Sequence, residues 1–585
     1  MEPQKILVAA VQFEPTLNDK RGNVDRLLPL VTEAAEAGAR VIVTPEMATT
    51  GYCWYDRREI ADLVEPIPGP TTEVFGEIAR QYGCYIVVGM PEVNSATGIY
   101  YNSAALVGPD GLVGSYRKTH SFVSETKWAK DGDLGLRVWE TPYGRLGILI
   151  CADADFVEPA RVLTLAGAEI LCFPTNWQGE KAPVPAWVAR AWENGCPLIS
   201  ANRYGLERGV QFCGGSCIIG ADGLILAHRD IGDGVVMAEI SLDPTDHAVR
   251  LGMRRPELYE TQTLSTYLWS PDHFHGLYGH NPLPSGAVSR VAVIQLYPRP
   301  TLVETLSAAD EMLRATDRTP DIIVLPDDTA ASPRVWDTRD AQSLDDAVVT
   351  LRAFSQQHVA LVAKGILERN DDRVFATALL VGPEGLLTHT RRIHLTEDEH
   401  SWLSPGDAVP ACLDLPLGRL ALAHGSDLAV PEFARELALH GCDLVLSPAG
   451  GSRIIVYGFG PTSIPLKDPL AANDDPTHMH LARLRAAENH IWLAWATPPE
   501  PNGAGHSGIF GPGRGFRDGE ELLDPEAEGI IIREVDTAHR ANRTKDTLRR
   551  RQPRDYDLLQ LHYEVSGVEN YGLETPKAKA SSQRR

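Results

Sequence analysis

Three residues in the N-terminal part of the chain combine a base, a cation and a nucleophile: Glu46, Lys118 and Cys151. Glu46 closes the run Val41-Ile-Val-Thr-Pro-Glu46. Lys118 lies in Tyr116-Arg-Lys-Thr-His120, after the turn Gly108-Pro-Asp-Gly111. Cys151 follows Leu146–Ile150 and precedes a predicted helix. Each thus stands where an apolar run that reads as a strand comes to its end, and loops there present reactive groups on a rigid base. A cysteine at a strand-to-helix elbow faces backbone amides that favour thiolate over thiol and can cradle an oxyanion. Taken singly, Cys151 also reads as a buried structural thiol, Lys118 as a surface lysine, and Glu46 as a helix N-terminal acid. As a set they are the minimum kit for acyl transfer.

The segments around them carry a family resemblance. Pro45-Glu-x5-Tyr52, Tyr116-Arg-Lys-Thr-His120 and Leu149-Ile-Cys-Ala-Asp-Ala-Asp-Phe156 resemble, in order and spacing, the three signatures of the nitrilase superfamily of carbon–nitrogen hydrolases. Tyr101-Asn-Ser103, Gly144-Arg-Leu-Gly147 and Phe173-Pro-Thr-Asn-Trp177 are similar to that family too. The resemblance implies an α-β-β-α sandwich and a Glu–Lys–Cys triad at Glu46, Lys118 and Cys151. A further family glutamate maps to Glu125, which otherwise reads as a solvated loop acid. Ala152 stands where many amidase-like members carry an aromatic residue, which implies a larger pocket. Tyr52, Trp128 and Trp177 lie near the motifs and read either as pocket lining or as core. The implied reaction is a thioester cycle at Cys151, with Glu46 moving protons and Lys118 and an amide near Ala152 holding the oxyanion. It needs no metal or organic cofactor. Cys-Ala-Asp followed by Pro-Thr-Asn-Trp177 resembles amidase-like branches more than true nitrilases. The expected activity is therefore that of a thiol amidohydrolase on a linear, non-peptide amide. Carbamoyl-amide and then nitrile hydrolysis are the alternatives. Acyl transfer or ammonia supply to a partner, or a non-catalytic binding protein, are readings of another class.

The chain also repeats itself. Ile6–Gln12 is echoed by Arg290–Gln295, Val41–Glu46 by Ile322–Asp327, Val107–Leu112 by Val381–Leu386, and Ala191–Asn194 by Ala486–Asn489. The order is kept, so the chain reads as two homologous halves of about 280 residues. The expected divisions are a catalytic domain at 1–269, a linker at 270–289, a non-catalytic copy at 290–570 and a disordered basic tail at 571–585. In the second copy Asp327, Arg392 and Gly425 stand at the positions of Glu46, Lys118 and Cys151, while Glu399 matches Glu125. Glycine has no nucleophile, so this copy is expected to be inactive. His424 or Ser426 would be the only substitute nucleophiles, and neither has an apparent base partner. A retained inactive copy suggests an intramolecular pseudo-dimer, with or without further self-association. The apolar faces of Phe156–Ala168 and Leu428–His440 are expected to meet across it.

Short Val- and Ile-rich runs alternate with amphipathic segments throughout, which implies an α/β layered fold. The predicted strands of the first half include Ile6–Gln12, Val41–Thr44, Tyr85–Gly89, Leu146–Ile150 and Ile170–Pro174. Its predicted helices include Arg21–Ala37, Thr71–Tyr82, Glu158–Ala166 and Val184–Asn194. At 43% apolar and 23% charged residues the 585-residue chain is globular rather than disordered. A net charge of −23 disfavours a nucleic acid duplex or an anionic membrane as partner. No apolar run approaches a membrane span, and Met1–Phe13 reads as a strand rather than a signal peptide. Nine cysteines without regular spacing suggest reduced thiols and a cytoplasmic setting. Cys213 and Cys217 lack the second ligand pair that a zinc site requires.

Overall fold

The computed structural model describes residues 4–178, 181–266, 282–327, 341–450, 479–513, 522–539 and 545–563. The expected tail and residues 270–281 of the expected linker lie outside these. In the first half, a six-stranded sheet runs in the order Gly234–Leu242, Gln4–Gln12, Val41–Val43, Tyr85–Val93, Tyr100–Gly108, Gly111–Arg117. A second six-stranded sheet runs in the order Ile225–Arg229, Ser216–Ile219, Leu198–Asn202, Ile170–Thr175, Leu146–Ile148, Val138–Trp139. The central pairings of both sheets are parallel.

The layers follow from strand periodicity. Successive side chains of a strand point to opposite faces. In Gln4–Gln12, Val8 and Ala10 face the space between the sheets, where they join Val41, Val43, Ile148, Ile170 and Leu198. Ala9 and Val11 face outward and are covered by Leu27, Val31 and Ala34 of the helix Lys20–Glu36 and by Phe75 and Ala79 of the helix Pro70–Tyr82. Both strand faces are buried, which explains why these strands read as continuous apolar runs. The helices Val157–Leu165 and Pro185–Trp192 cover the second sheet. The result is an α-β-β-α sandwich.

The second half repeats it. One sheet orders Gly385–Arg391, Arg373–Gly382, Leu361–Asn370, Ile322–Asp327, Val288–Gln295 and Gly529–Asp536. The other orders Leu413–Leu415, Gly418–Leu422, Leu444–Pro448, Trp492–Ala496 and Gly508–Phe510. Among the described residues no helix is long and apolar enough to cross a membrane.

The halves touch through pairs related by near-constant sequence offsets. Arg161 pairs with Glu432 at 3.0 Å, and Arg435 with Glu158 at 3.0 Å. Arg254 reaches Glu432 at 2.7 Å, and Arg551 reaches Glu158 at 2.5 Å. Arg190 bonds Glu488 at 2.5 Å, and Arg485 bonds Glu193 at 2.6 Å. Each half ends in an arm, around 254–264 and 551–561, that lies on the other half. Arg254 donates to the carbonyls of Leu559 and Leu561, and Arg551 to those of Gln262 and Leu264. The sequence expectation of an apolar helix seam therefore needs correction. Where the helices Val157–Leu165 and Pro431–Leu439 meet, the residues are buried ion pairs, because Glu158, Arg161, Glu432 and Arg435 occupy the facing positions. Apolar contact is made elsewhere: Ala189 and Trp192 join Leu428, Phe433 and Leu481, while Val162 packs on Tyr556 and Leu559.

Burial pushes the Glu158 carboxyl up, but Arg435 and Arg551 outweigh it and hold it down to about 2. A depressed folded-state value contributes stability that is complete above the ordinary value of 4.5 and is lost as pH falls towards 2. Glu158→Gln strands two buried guanidinium groups. It is expected to destabilise the full-length protein by about 3 kcal/mol at neutral pH. It should also flatten the acid limb of the stability curve between pH 4.5 and 2, as measured by denaturant unfolding against pH.

Candidate active site

The site lies at the carboxyl ends of the parallel strands of the first half. Glu46 follows Val41–Val43, Lys118 follows Gly111–Arg117, and Cys151 follows Leu146–Ile148. All are deeply buried, Cys151 being the most open at 6% exposure. The Lys118 ammonium donates to Glu46 Oε1 at 2.7 Å and to Glu125 Oε1 at 2.5 Å. Asn102 Nδ2 donates to the same Glu46 oxygen at 2.7 Å, and the Tyr52 hydroxyl donates to Glu125 Oε1 at 2.6 Å. Glu46 Oε2 and Glu125 Oε2 are buried and have no partner. Gly89, on the neighbouring strand, lets this cluster close: a Cβ there would lie 2.8 Å from Glu46 Cα.

Cys151 opens a single 3-10 turn, Cys151–Asp155, with φ at +46°. That left-handed conformation is strained for a residue with a side chain. Asp153 holds the turn. Its carboxylate accepts from Ile150 N at 2.9 Å, Tyr116 OH at 2.8 Å, His120 N at 3.1 Å and Thr119 Oγ1 at 3.2 Å, and lies 2.9 Å from His120 Nδ1. The cysteine turn and the segment after Lys118 are thereby tied to one carboxylate.

The protonation directions differ from the expectation of a helix-stabilised thiolate. Burial, then the Glu46 carboxylate, push the Cys151 thiol well above the ordinary cysteine value, against Lys118, Thr175 and the Asn176 amide. Burial and Glu125 raise Glu46, despite Lys118. Burial works to lower the Lys118 ammonium, but Glu125 and Glu46 outweigh it and keep it well above the ordinary lysine value. The resting site therefore holds a neutral thiol and a paired ammonium, beside a carboxyl group with one unpaired oxygen. A short 3-10 turn brings fewer aligned amides to the sulfur than a full helix would, and burial prevails.

The remaining sequence-derived positions divide. Tyr52 reaches the cluster through Glu125. It also packs edge-on against Phe212, and with Trp54 and Trp128 it forms an apolar cluster. Trp128 is buried with Nε1 unpartnered. Trp177 packs edge-on against Trp187 in the main core. Ala152 is buried. Sequence reasoning did not assign roles to Asn102, His120, Asp153 or Asn176. All four lie inside the quoted motif segments, so their signal was adjacency to the candidate groups. Asn176 follows Thr175 at a strand end, is 1% exposed, and has both side-chain amide atoms unpartnered.

At the matching place in the second half, Arg392 forms a fork with Glu399, at 3.0 and 2.8 Å. Asp327 pairs with His424, a carboxylate partner that the sequence reading had not found. Gly425 lies against Ala449: a Cβ on it would overlap the Ala449 methyl and sit 2.6 Å from its Cα. The His–Asp clamp persists, with His394 Nδ1 2.8 Å from Asp427.

Known proteins resemble this chain in sequence. The carbon-nitrogen hydrolase family model matches residues 7–248 and again 290–543. A nitrilase of Pyrococcus abyssi is 38% identical over 239 residues, which is 40% of this chain and 90% of the relative. An N-carbamoylputrescine amidase of Solanum lycopersicum is 32% identical over 285 residues, 44% of this chain and 94% of the relative. Among solved structures, an amidase from Nesterenkonia sp. is 26% identical, covering 43% of this chain and 94% of its own, with a TM-score of 0.37. With two successive family matches that together span most of its length, this chain belongs to the carbon-nitrogen hydrolase family as a tandem duplication.

Proposed function

We propose that the first half is a thiol amidohydrolase that cleaves a small linear amide to an acid and ammonia or an amine. One observation carries this reading: Lys118 is clamped between Glu46 and Glu125, beside Cys151, in a site closed to bulk water. The unpaired Glu46 oxygen takes the thiol proton as Cys151 sulfur attacks the amide carbon. Lys118 and the Ala152 backbone N–H receive the developing oxyanion. The tetrahedral adduct collapses and the C–N bond breaks. The proton on Glu46 passes to the departing nitrogen, leaving a thioester. Glu46 then takes a proton from water as its oxygen attacks the thioester carbon. The acid leaves, and the thiol recovers that proton. Glu125 holds the lysine and offers its second oxygen to the substrate nitrogen. Tyr52 fixes Glu125, and the walls near Trp128, Ala152 and Trp177 bound the acyl side.

A carbamoyl amide is the second reading. Asn176, whose backbone N–H bonds the Cys151 sulfur, carries a buried side-chain amide with neither atom partnered, and a ureido group would satisfy more of it than a simple amide.

In the same reading, residues 1–269 form the catalytic domain and 290–570 a non-catalytic copy that completes an intramolecular pseudo-dimer. Gly425 removes the nucleophile, and Ala449 fills the space that a side chain would need.

Ammonia release from amide, ureido and nitrile panels is expected to favour amides, with ureido compounds next. A nitrile preference would overturn the substrate assignment. Cys151→Ala should lower turnover at least about 10⁴-fold and Glu46→Gln about 10²- to 10⁴-fold on every substrate. Retained turnover in Cys151→Ala would end the thioester mechanism. Adding Gly425→Cys to Cys151→Ala should restore nothing and cost about 1–3 kcal/mol of stability, because the new side chain must displace Ala449. Recovery of ammonia release would show that the second half is merely unarmed rather than closed.

A further inference from the structure

We propose that the second half supplies positioning residues to the first half's active centre, chiefly Tyr556 of its C-terminal arm, with Glu488 and Arg554 in support. The inference rests on Cys151 being the nucleophile.

The turn Cys151–Asp155 is strained at its first residue, so something outside it must hold it. Besides the first-half donors to Asp153, two contacts behind the turn lead into the second half. The first runs through Asp153. His120 Nδ1 lies 2.9 Å from Asp153 Oδ1, and the other ring nitrogen, Nε2, lies 3.3 Å from the buried Tyr556 hydroxyl. An imidazole whose one nitrogen faces a carboxylate and whose other faces a hydroxyl is fixed in tautomer and in ring orientation. The second hold runs through Ala154. Its carbonyl accepts from Arg190 Nε at 3.2 Å, and Glu488 accepts from Arg190 Nη2 at 2.5 Å.

The same arm grips the loop that bears Lys118 and Glu125. Arg550 Nη2 donates to Ser121 O at 2.5 Å, and Arg554 Nη2 donates to Gly132 O at 2.8 Å. Gly132 N in turn donates to Lys118 O at 2.7 Å. The arm therefore touches both ends of the segment that places the ammonium.

The duplication provides an internal control. Tyr259 OH lies 2.6 Å from His394 Nε2, His394 holds Asp427, and Arg255 Nη1 donates to Gly406 O at 3.3 Å. The Tyr259–His394–Asp427 contacts mirror those of Tyr556, His120 and Asp153, while Arg255, at the position of Gln552, reaches Gly406, the counterpart of the Gly132 that Arg554 holds. The His394 contact ends on the turn Gly425–Ala429, which has glycine in the place of Cys151. A purely structural role predicts equal effects from mirror-related substitutions. A positioning role predicts unequal ones.

The test uses the full-length chain with a hydrolysed amide and, separately, iodoacetamide as a probe of Cys151. Tyr556→Phe is expected to lower kcat about tenfold, the effect of one lost hydrogen bond behind the reacting turn, with KM within about twofold. Its rate of Cys151 alkylation should fall in parallel. Tyr259→Phe should leave kcat, KM and alkylation within about twofold, while shifting Tm as much as Tyr556→Phe does. Arg554→Ala and Arg255→Ala, which release the corresponding carbonyls of Gly132 and Gly406, repeat the comparison should either tyrosine variant fold poorly. Equal kcat effects within each pair, or none in either, would overturn the proposal. Turnover surviving in Cys151→Ala would instead overturn the nucleophile assignment on which it rests.

Discussion

A lysine ammonium taken out of water is stable only if anions replace its hydration, and that requirement organises the first half. Lys118 keeps its proton in a closed site because Glu46 and Glu125 each give it one oxygen. The arrangement leaves one lone oxygen on each carboxylate. Burial and then the Glu46 carboxylate raise the thiol, which keeps Cys151 neutral until a proton acceptor is aligned with it. A site built this way stores no free thiolate that other electrophiles would find. In the proposed cycle reactivity arises together with substrate, when a carbonyl oxygen takes over part of the lysine's charge and the Glu46 oxygen is freed to act as a base.

The second half shows what the fold retains once that requirement is dropped. It keeps the His394–Asp427 clamp, the Tyr259 contact and the ion-paired seam. It changes the groups that would act on substrate: Asp327 faces His424, Arg392 faces Glu399, and Gly425 is walled by Ala449. What persists is what touches the first half, and what has changed faces inward. That division is the expected outcome if the copy is held by its contacts with the first half rather than by chemistry of its own.

Much of this was legible in the sequence, for identifiable reasons. Strands buried on both faces announce themselves as Val/Ile runs, so Val41–Val43 and Ile170–Thr175 were placed to within a residue. The duplication was visible because the motifs recur in order. The bounds of the strand Gly111–Arg117, which delivers Lys118, were not legible because its burial is uneven and its apolar pattern weak. The seam was misread for a physical reason: Glu158, Arg161, Glu432 and Arg435 look like solvent-facing charges in a helical pattern, and only the opposite half reveals that each is buried against a partner. The same holds for Asp153 and His120, ordinary polar residues in sequence, whose partners lie 33 residues apart from each other and, for Tyr556, 436 residues away. The thiol's protonation was beyond reach as well, since it depends on how completely the site excludes water.

The two elbows allow one more step. Cys151 adopts φ of +46°, a conformation that glycine tolerates far better than cysteine. Gly425, at the matching place in the second half, is a glycine and yet does not adopt it. Were the left-handed turn dictated by the strand-to-helix connection, it would persist most easily where glycine makes it free of strain. It persists instead where it is costly and where a sulfur must be aimed at Glu46 and Lys118. The strain therefore belongs to the positioning of the sulfur and not to the fold, and the buried Asp153 and Ala154 contacts behind the turn are what offset it.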